Sequence, residues 1–243
     1  MKKSMDDFST FIFFVLFVGI TAYLMFTSTV RVNVHDTHEI AREVVRRAAN
    51  ELKNKELKNS VKIVQKSGLD NELLKSLPKS YHRNFSYVTL YDLSVSYQQN
   101  GELTAKNLGL HSDNRLEKLV NYFMVKEINQ ELKGNSKEVN HAINLFHYFM
   151  FGVALCFILA VLLILFGKYW VSLALLIATS GGFFFLQYFA NGAVNRLESQ
   201  LYTEMSLTTS NYLWFSLIIG IVITIVWPIC LAVGRNKMRK KIA

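Results

Sequence analysis

Residues Phe146–Ala190 read FHYFMFGVALCFILAVLLILFG-K-YWVSLALLIATSGGFFFLQYFA, two apolar runs joined at one cation, Lys168. Neither run contains Asp, Glu, Lys or Arg. At about 1.5 Å per residue, each is long enough to cross a hydrocarbon core of roughly 30 Å. A link this short leaves two consecutive helices only an antiparallel arrangement. Two more runs fit the same template: Phe11–Thr27 near the N-terminus and Tyr212–Gly234 near the C-terminus. Four such runs in one chain argue for a lipid solvent rather than a set of soluble core helices.

The composition agrees. Mean hydropathy is +0.21 although Lys, Arg, Asp and Glu together make up 19% of the chain. Such a mean describes apolar blocks separated by a polar block. The expected fold is an α-helical integral membrane protein with four transmembrane helices, one followed by three. A small α+β extracytoplasmic domain is expected between the first and second. The boundaries read as an N-terminus at 1–10, helices at 11–27, 146–167, 169–190 and 212–234, the domain at 28–145, a short outer loop at 191–211 and a basic tail at 235–243. The first run reads as an uncleaved signal anchor, because Thr27-Ser28-Thr29-Val30-Arg31 offers no small-x-small cleavage site.

Orientation follows from lysine and arginine near the helix ends. Lys2, Lys3, Lys168, Arg235, Lys237, Arg239, Lys240 and Lys241 fall on one side, against Arg196 alone in the opposing short loop. Both termini are therefore expected in the cytoplasm. The compact chain points to a plasma membrane, in particular a bacterial inner membrane. This bias accounts for much of the +9 net charge, so no nucleic-acid partner is inferred, and membrane lipid is the expected contact of the basic tail. Cys156 and Cys230 lie inside apolar runs and define no disulfide framework.

The cytoplasmic segments are too short to bury a core. The chain shows no glycine-rich phosphate loop, nucleophile elbow or H-E-x-x-H, and no ionisable pair at membrane depth. No enzymatic activity and no cofactor are expected.

Within 28–145, Asp36 and Glu39 suggest a capping box ahead of Ile40, Val44, Ala48 and Leu52 on one helical face. A short helical stretch is expected between Gly68 and Pro78. From Phe85 to Tyr97 the apolar positions alternate: Phe85, Tyr87, Tyr91, Leu93, Val95 and Tyr97. This period of two predicts a strand, with Asn100-Gly101 as a hairpin turn and Glu102–Lys106 returning. The return is short, so the strand reads as an assembly edge seeking another chain. Ser112 or Asp113 then starts a helix carrying Leu116, Leu119, Val120 and Phe123 on one face, which Gly134 ends. From about Lys137 the chain is expected to be helical into the second apolar run.

Small residues recur every four positions in three runs: Gly152, Cys156 and Ala160; Ala174, Ala178 and Gly182; Ser216, Gly220 and Thr224. Such ridges let helix backbones approach where lipid gives no hydrophobic drive. The first run has only Gly19 and Ala22, and is expected to pack loosely, or against lipid or another subunit. His35, His38, His141 and His147 cluster in sequence near the outer ends of the first two helices, with Glu39 beside them. Metal or pH sensing would use such groups, but no fixed ligand spacing is present and no metal is assigned.

The leading expectation is a non-enzymatic structural or accessory subunit of an oligomeric membrane complex, as a homo-oligomer or a hetero-complex. Its extracytoplasmic domain would mediate assembly or partner contact. The rivals are a membrane sensor relaying an extracytoplasmic ligand or stress signal to a partner, and an oligomeric, hydrophobically gated pore.

Overall fold

The computed structural model describes residues 2–35, 38, 81–111, 115–201 and 205–242. The helices expected after Asp36 and between Gly68 and Pro78, together with Ser112 and Asp113, lie outside the described residues.

The structure is mostly helical, with four helices long and apolar enough to cross a membrane and a three-stranded sheet. The first apolar helix is Lys2–Thr27, the second lies within Ser136–Leu165, and the fourth is Asn211–Ile242. The third runs as Val171–Leu176, a π turn at Ile177–Gly181, and Gly182–Leu201. Contacts close a ring: first on second, second on third, third on fourth, fourth on first.

Two expectations about these helices change. The first helix is not loosely packed: Phe14, Val18, Thr21 and Met25 are buried between the second and fourth. Its small-residue content was a poor guide, because Phe14 meets Trp227 edge to face at 5.1 Å between ring centroids, and aromatic interlock substitutes for close backbone approach. The third helix continues to Leu201, so much of the expected loop 191–211 is helical. The fourth helix runs on through the basic tail as far as Ile242.

Within the same expected loop, Met205–Thr209 is a strand. β1 (Val30–Val34) is central, with β2 (Tyr81–Phe85) and β3 (Met205–Thr209) antiparallel on either side. β1 leaves the first apolar helix after only Ser28 and Thr29, and β3 enters the fourth through Ser210. The antiparallel helix pair thus continues as an antiparallel strand pair. The Ser210 amide donates to the Thr29 carbonyl at 3.0 Å, so the ladder runs to the helix ends. Val30 and Val34 are buried, while Arg31 and His35 on the other face are exposed, the alternation that a pleated strand imposes.

The strand expected over Phe85–Tyr97 is a helix. Phe85 ends β2, Ser86 caps, and Tyr87–Asn100 is helical. The Ser86 hydroxyl accepts from the Thr89 amide at 3.2 Å, and the Thr89 hydroxyl accepts from the Ser86 amide. This reciprocal pair satisfies two amides that an N-terminus otherwise leaves open. Gly101 is a left-handed C-cap at φ 69°, not a hairpin corner, and its amide reaches the Tyr97 carbonyl. Glu102–Lys106 forms turns, with no return strand. The buried positions Tyr87, Ser94 and Tyr97 are seven and three residues apart, which is one helical face. Leu93 and Val95 are half-buried on that helix, and Phe85 is half-buried in the sheet. Tyr87–Tyr97, being helical, offers no unpaired strand edge to drive assembly.

The turns that follow are pinned from two directions. Asn129, on the helix Arg115–Gly134, receives the Leu103 amide and donates to its carbonyl, at 2.7 and 2.8 Å. Arg83 of β2 lays its guanidinium against Gly109, where a side chain would otherwise lie. Gly109 has φ 62°, so glycine is required there twice over.

Candidate functional site

Where the sheet meets the apolar helices, a buried tyrosine bonds one layer to the other. Tyr87 is the first residue of its helix and is wholly buried. Its hydroxyl donates to the Gly182 carbonyl of the third apolar helix at 2.6 Å. The ring is held by Phe146 stacked at 5.9 Å and Phe26 edge-on at 5.5 Å. Burial pushes the Tyr87 hydroxyl well above the usual tyrosine range, only partly offset by the Leu186 backbone amide. It is a neutral donor at any physiological pH.

Gly182 immediately follows the π turn. It is closely packed: an added Cβ would sit 3.3 Å from the Met25 sulfur, a tight contact, and 3.5 Å from Val153, an ordinary one. Within the turn, Thr179 is fully buried and its hydroxyl is tied to the Leu175 carbonyl at 2.7 Å. The Thr179 side chain fills the space over Gly220 of the fourth helix. A path of direct contacts therefore runs from Tyr87 through Gly182 and Thr179 to Gly220.

The expected packing ridges divide. Ala174, Ala178 and Gly182 are buried in the third helix, and Ser216 and Gly220 in the fourth. The Ser216 hydroxyl donates to the Thr21 carbonyl at 3.0 Å, and the Ser172 hydroxyl donates to the Thr224 carbonyl at 2.7 Å. Thr224 itself is half-buried. In the second helix the ridge is corrected: Gly152 is exposed, with nothing within 4 Å of a Cβ placed on it. Cys156 is half-buried and only Ala160 is fully enclosed. That helix buries Phe146, Val153, Phe157, Ala160 and Ile164 instead. Large side chains fill the contact, so a small-residue spacing on a neighbouring face did not mark it.

The histidines are not brought together as one cluster. His147 meets the Ser94 hydroxyl at 2.7 Å and lies beside the Tyr91 ring at 5.0 Å, bracing the Tyr87–Asn100 helix. His35 meets the Ser206 hydroxyl at 2.9 Å at the far end of β1. His141 is exposed on the second helix. His38 is half-buried, and Glu39 lies outside the described residues. Among the described residues, no group of three His, Cys, Asp or Glu side chains could hold a metal ion.

A polar face remains on the sheet. Arg31 donates to Asn84 at 3.1 Å, and Asn33 donates to Thr208 at 3.1 Å and Ser206 at 3.4 Å. These are cross-strand pairs of the kind that hold register. Reading the sequence missed Tyr87 as an anchor. The available signal was a Ser-x-x-Thr cap followed, after one helix length, by Asn-Gly as a C-terminal stop.

Comparison with protein-family models, curated proteins and solved structures gives no match to this chain.

Proposed function

We propose that this chain is a non-enzymatic accessory subunit of a membrane complex, carrying a docking layer fixed to a four-helix membrane body. The four apolar helices would be inserted with both termini cytoplasmic, as the lysine and arginine asymmetry suggests. The sheet and the Tyr87–Asn100 helix would then face outward, in a bacterial inner membrane. The observation that carries the reading is the continuity of β1 and β3 with the first and fourth helices. A layer grown directly from two helices cannot swing on a linker. It would present any partner with a surface in constant register with the membrane. Outward-facing Phe13, Leu16, Phe151, Leu155, Ile218 and Ile225 give the helices an apolar perimeter for lipid or neighbouring subunits.

Crosslinking in native membranes, followed by affinity purification and mass spectrometry, tests the reading. A recurrent membrane partner, or a second copy, is the expected result. A strictly monomeric particle without crosslinked partners refutes the proposal.

A second reading has one observation in its favour. The buried Tyr87–Gly182 hydrogen bond joins the outer layer to the one irregular turn described in the third helix. A membrane sensor would need such a joint. Ligand-dependent change in the thermal stability of the purified chain would favour this reading over the first.

A further inference from the structure

The π turn at Ile177–Gly181 interrupts the third helix, along which one row of buried residues keeps a spacing of four: Ala174, Ala178, Gly182, Leu186, Ala190 and Val194. In an unbroken α-helix a step of four residues drifts by about 40°. Five such steps would carry the stripe through about 200°, off the neighbouring helices. A π turn adds a residue without adding a turn of helix and brings the stripe back by about 100°. Its position therefore decides which side chains of the third helix face the fourth.

If the π turn slides by one residue toward the C-terminus, the residue it passes rotates by about 100°. That residue would be Gly182, whose carbonyl holds the Tyr87 hydroxyl. Sliding would break this bond and turn the carbonyl away from the Tyr87 hydroxyl. From the geometry we infer that Tyr87 is a pin that fixes the position of the π turn, so that displacement of the sheet-side layer is converted into rotation of the third helix against the fourth. The inference goes beyond the subunit reading and stands independently of it.

The lever on the outer side is stiff. β2 runs into the Ser86 cap and directly to Tyr87, and β2 is laddered to β1 over five residue pairs. Any load on the sheet therefore reaches the phenol within two residues. On the inner side, Thr179 lies in the π turn, with its methyl and hydroxyl against Gly220. Loss of the pin reaches the fourth helix through that contact.

The full chain in lipid nanodiscs, as wild type, Tyr87→Phe and Tyr97→Phe, tests the inference by hydrogen–deuterium exchange. Tyr87→Phe keeps the ring between Phe26 and Phe146 and removes only the donor. Tyr97→Phe is the control, since Tyr97 donates from the same helix to the Leu132 carbonyl and not to the third apolar helix. The expected result is exchange about three- to tenfold faster across Ile177–Leu186 in Tyr87→Phe, the range one hydrogen bond commands. The first helix should be unchanged, and Tyr97→Phe should leave Ile177–Leu186 at wild-type rates. The threonine methyl spectrum should show Thr179 shifted in Tyr87→Phe and Thr21 unmoved. Wild-type exchange over Ile177–Leu186 overturns the inference. So does an equal rise in all four helices, which would make Tyr87 a general stabiliser. An unmoved Thr179 methyl overturns the transmission to the fourth helix.

Discussion

Replacing Gly220 by alanine adds one methyl group where the Thr179 side chain already stands, with the Thr179 Cβ 2.8 Å and its Oγ1 2.9 Å from the new atom. Thr179 is fully buried and its hydroxyl is committed to the Leu175 carbonyl, so any yielding on its part has a cost. The third and fourth helices must separate by a fraction of an ångström, or Thr179 must break its bond. Overpacking of this kind costs about 1–3 kcal/mol. The same exchange at Gly152 meets nothing within 4 Å, and both sites gain the helical preference of alanine, up to about 1 kcal/mol. Because the preference is common to both, the difference between the two variants isolates the contact. Gly220→Ala should unfold about 1–3 kcal/mol more easily than Gly152→Ala in reversible detergent denaturation. Adding Thr179→Ala should recover part of the loss, with a coupling of about 0.5–3 kcal/mol in a double-mutant cycle. If Gly220→Ala is as stable as Gly152→Ala, the third and fourth helices do not meet at this point and the contact path from Tyr87 ends at Thr179.

Gly109→Ala should destabilise the turns after Gly101, because it meets both a left-handed backbone and the Arg83 guanidinium; faster proteolysis within 101–111 is the readout, and wild-type rates would contradict the geometry. Ser86→Ala should cost about 1 kcal/mol through loss of the cap, seen as a lower midpoint in thermal unfolding. A cysteine at Asn100 should react with an impermeant thiol reagent from outside the cell and one at Asn236 should not; the opposite pattern would invert the proposed orientation.

How far the sequence revealed this arrangement depended on the range of each signal. The four apolar helices were legible because length and the absence of charge are local properties. The Tyr87–Asn100 helix was misread because periods of two and of about three and a half both pass through Tyr87, Tyr91 and Tyr97. Ser86 and Gly101, read as caps, would have separated the two readings. β1 alternates cleanly over Val30–Val34, yet five residues directly after an apolar run do not announce a strand. β3, Met205–Thr209, has almost no pattern of its own and is a strand because β1 lies beside it. The ridge at Gly152 failed for another reason. Spacing identifies a face, but not which face a neighbour will choose, and Val153 and Phe157 won the contact by volume. The site at Tyr87 was hidden for the same reason as β3: Gly182 is 95 residues away in the chain.

The sheet also imposes an order on the making of the molecule. A ribosome completes β1 early and β2 some fifty residues later, so that pair is free to close while the chain is still growing. The other edge of β1 must wait for Met205–Thr209, and Asn33 for a hydroxyl 173 residues downstream. Until then the central strand keeps one flank of its backbone without this partner, the condition in which strands pair wrongly or recruit a neighbour. Contacts this distant in sequence are also the slowest to form. The last apolar helix therefore arrives carrying the strand that closes the sheet, and a chain interrupted before Met205 is marked as unfinished by an open edge rather than by a missing helix alone.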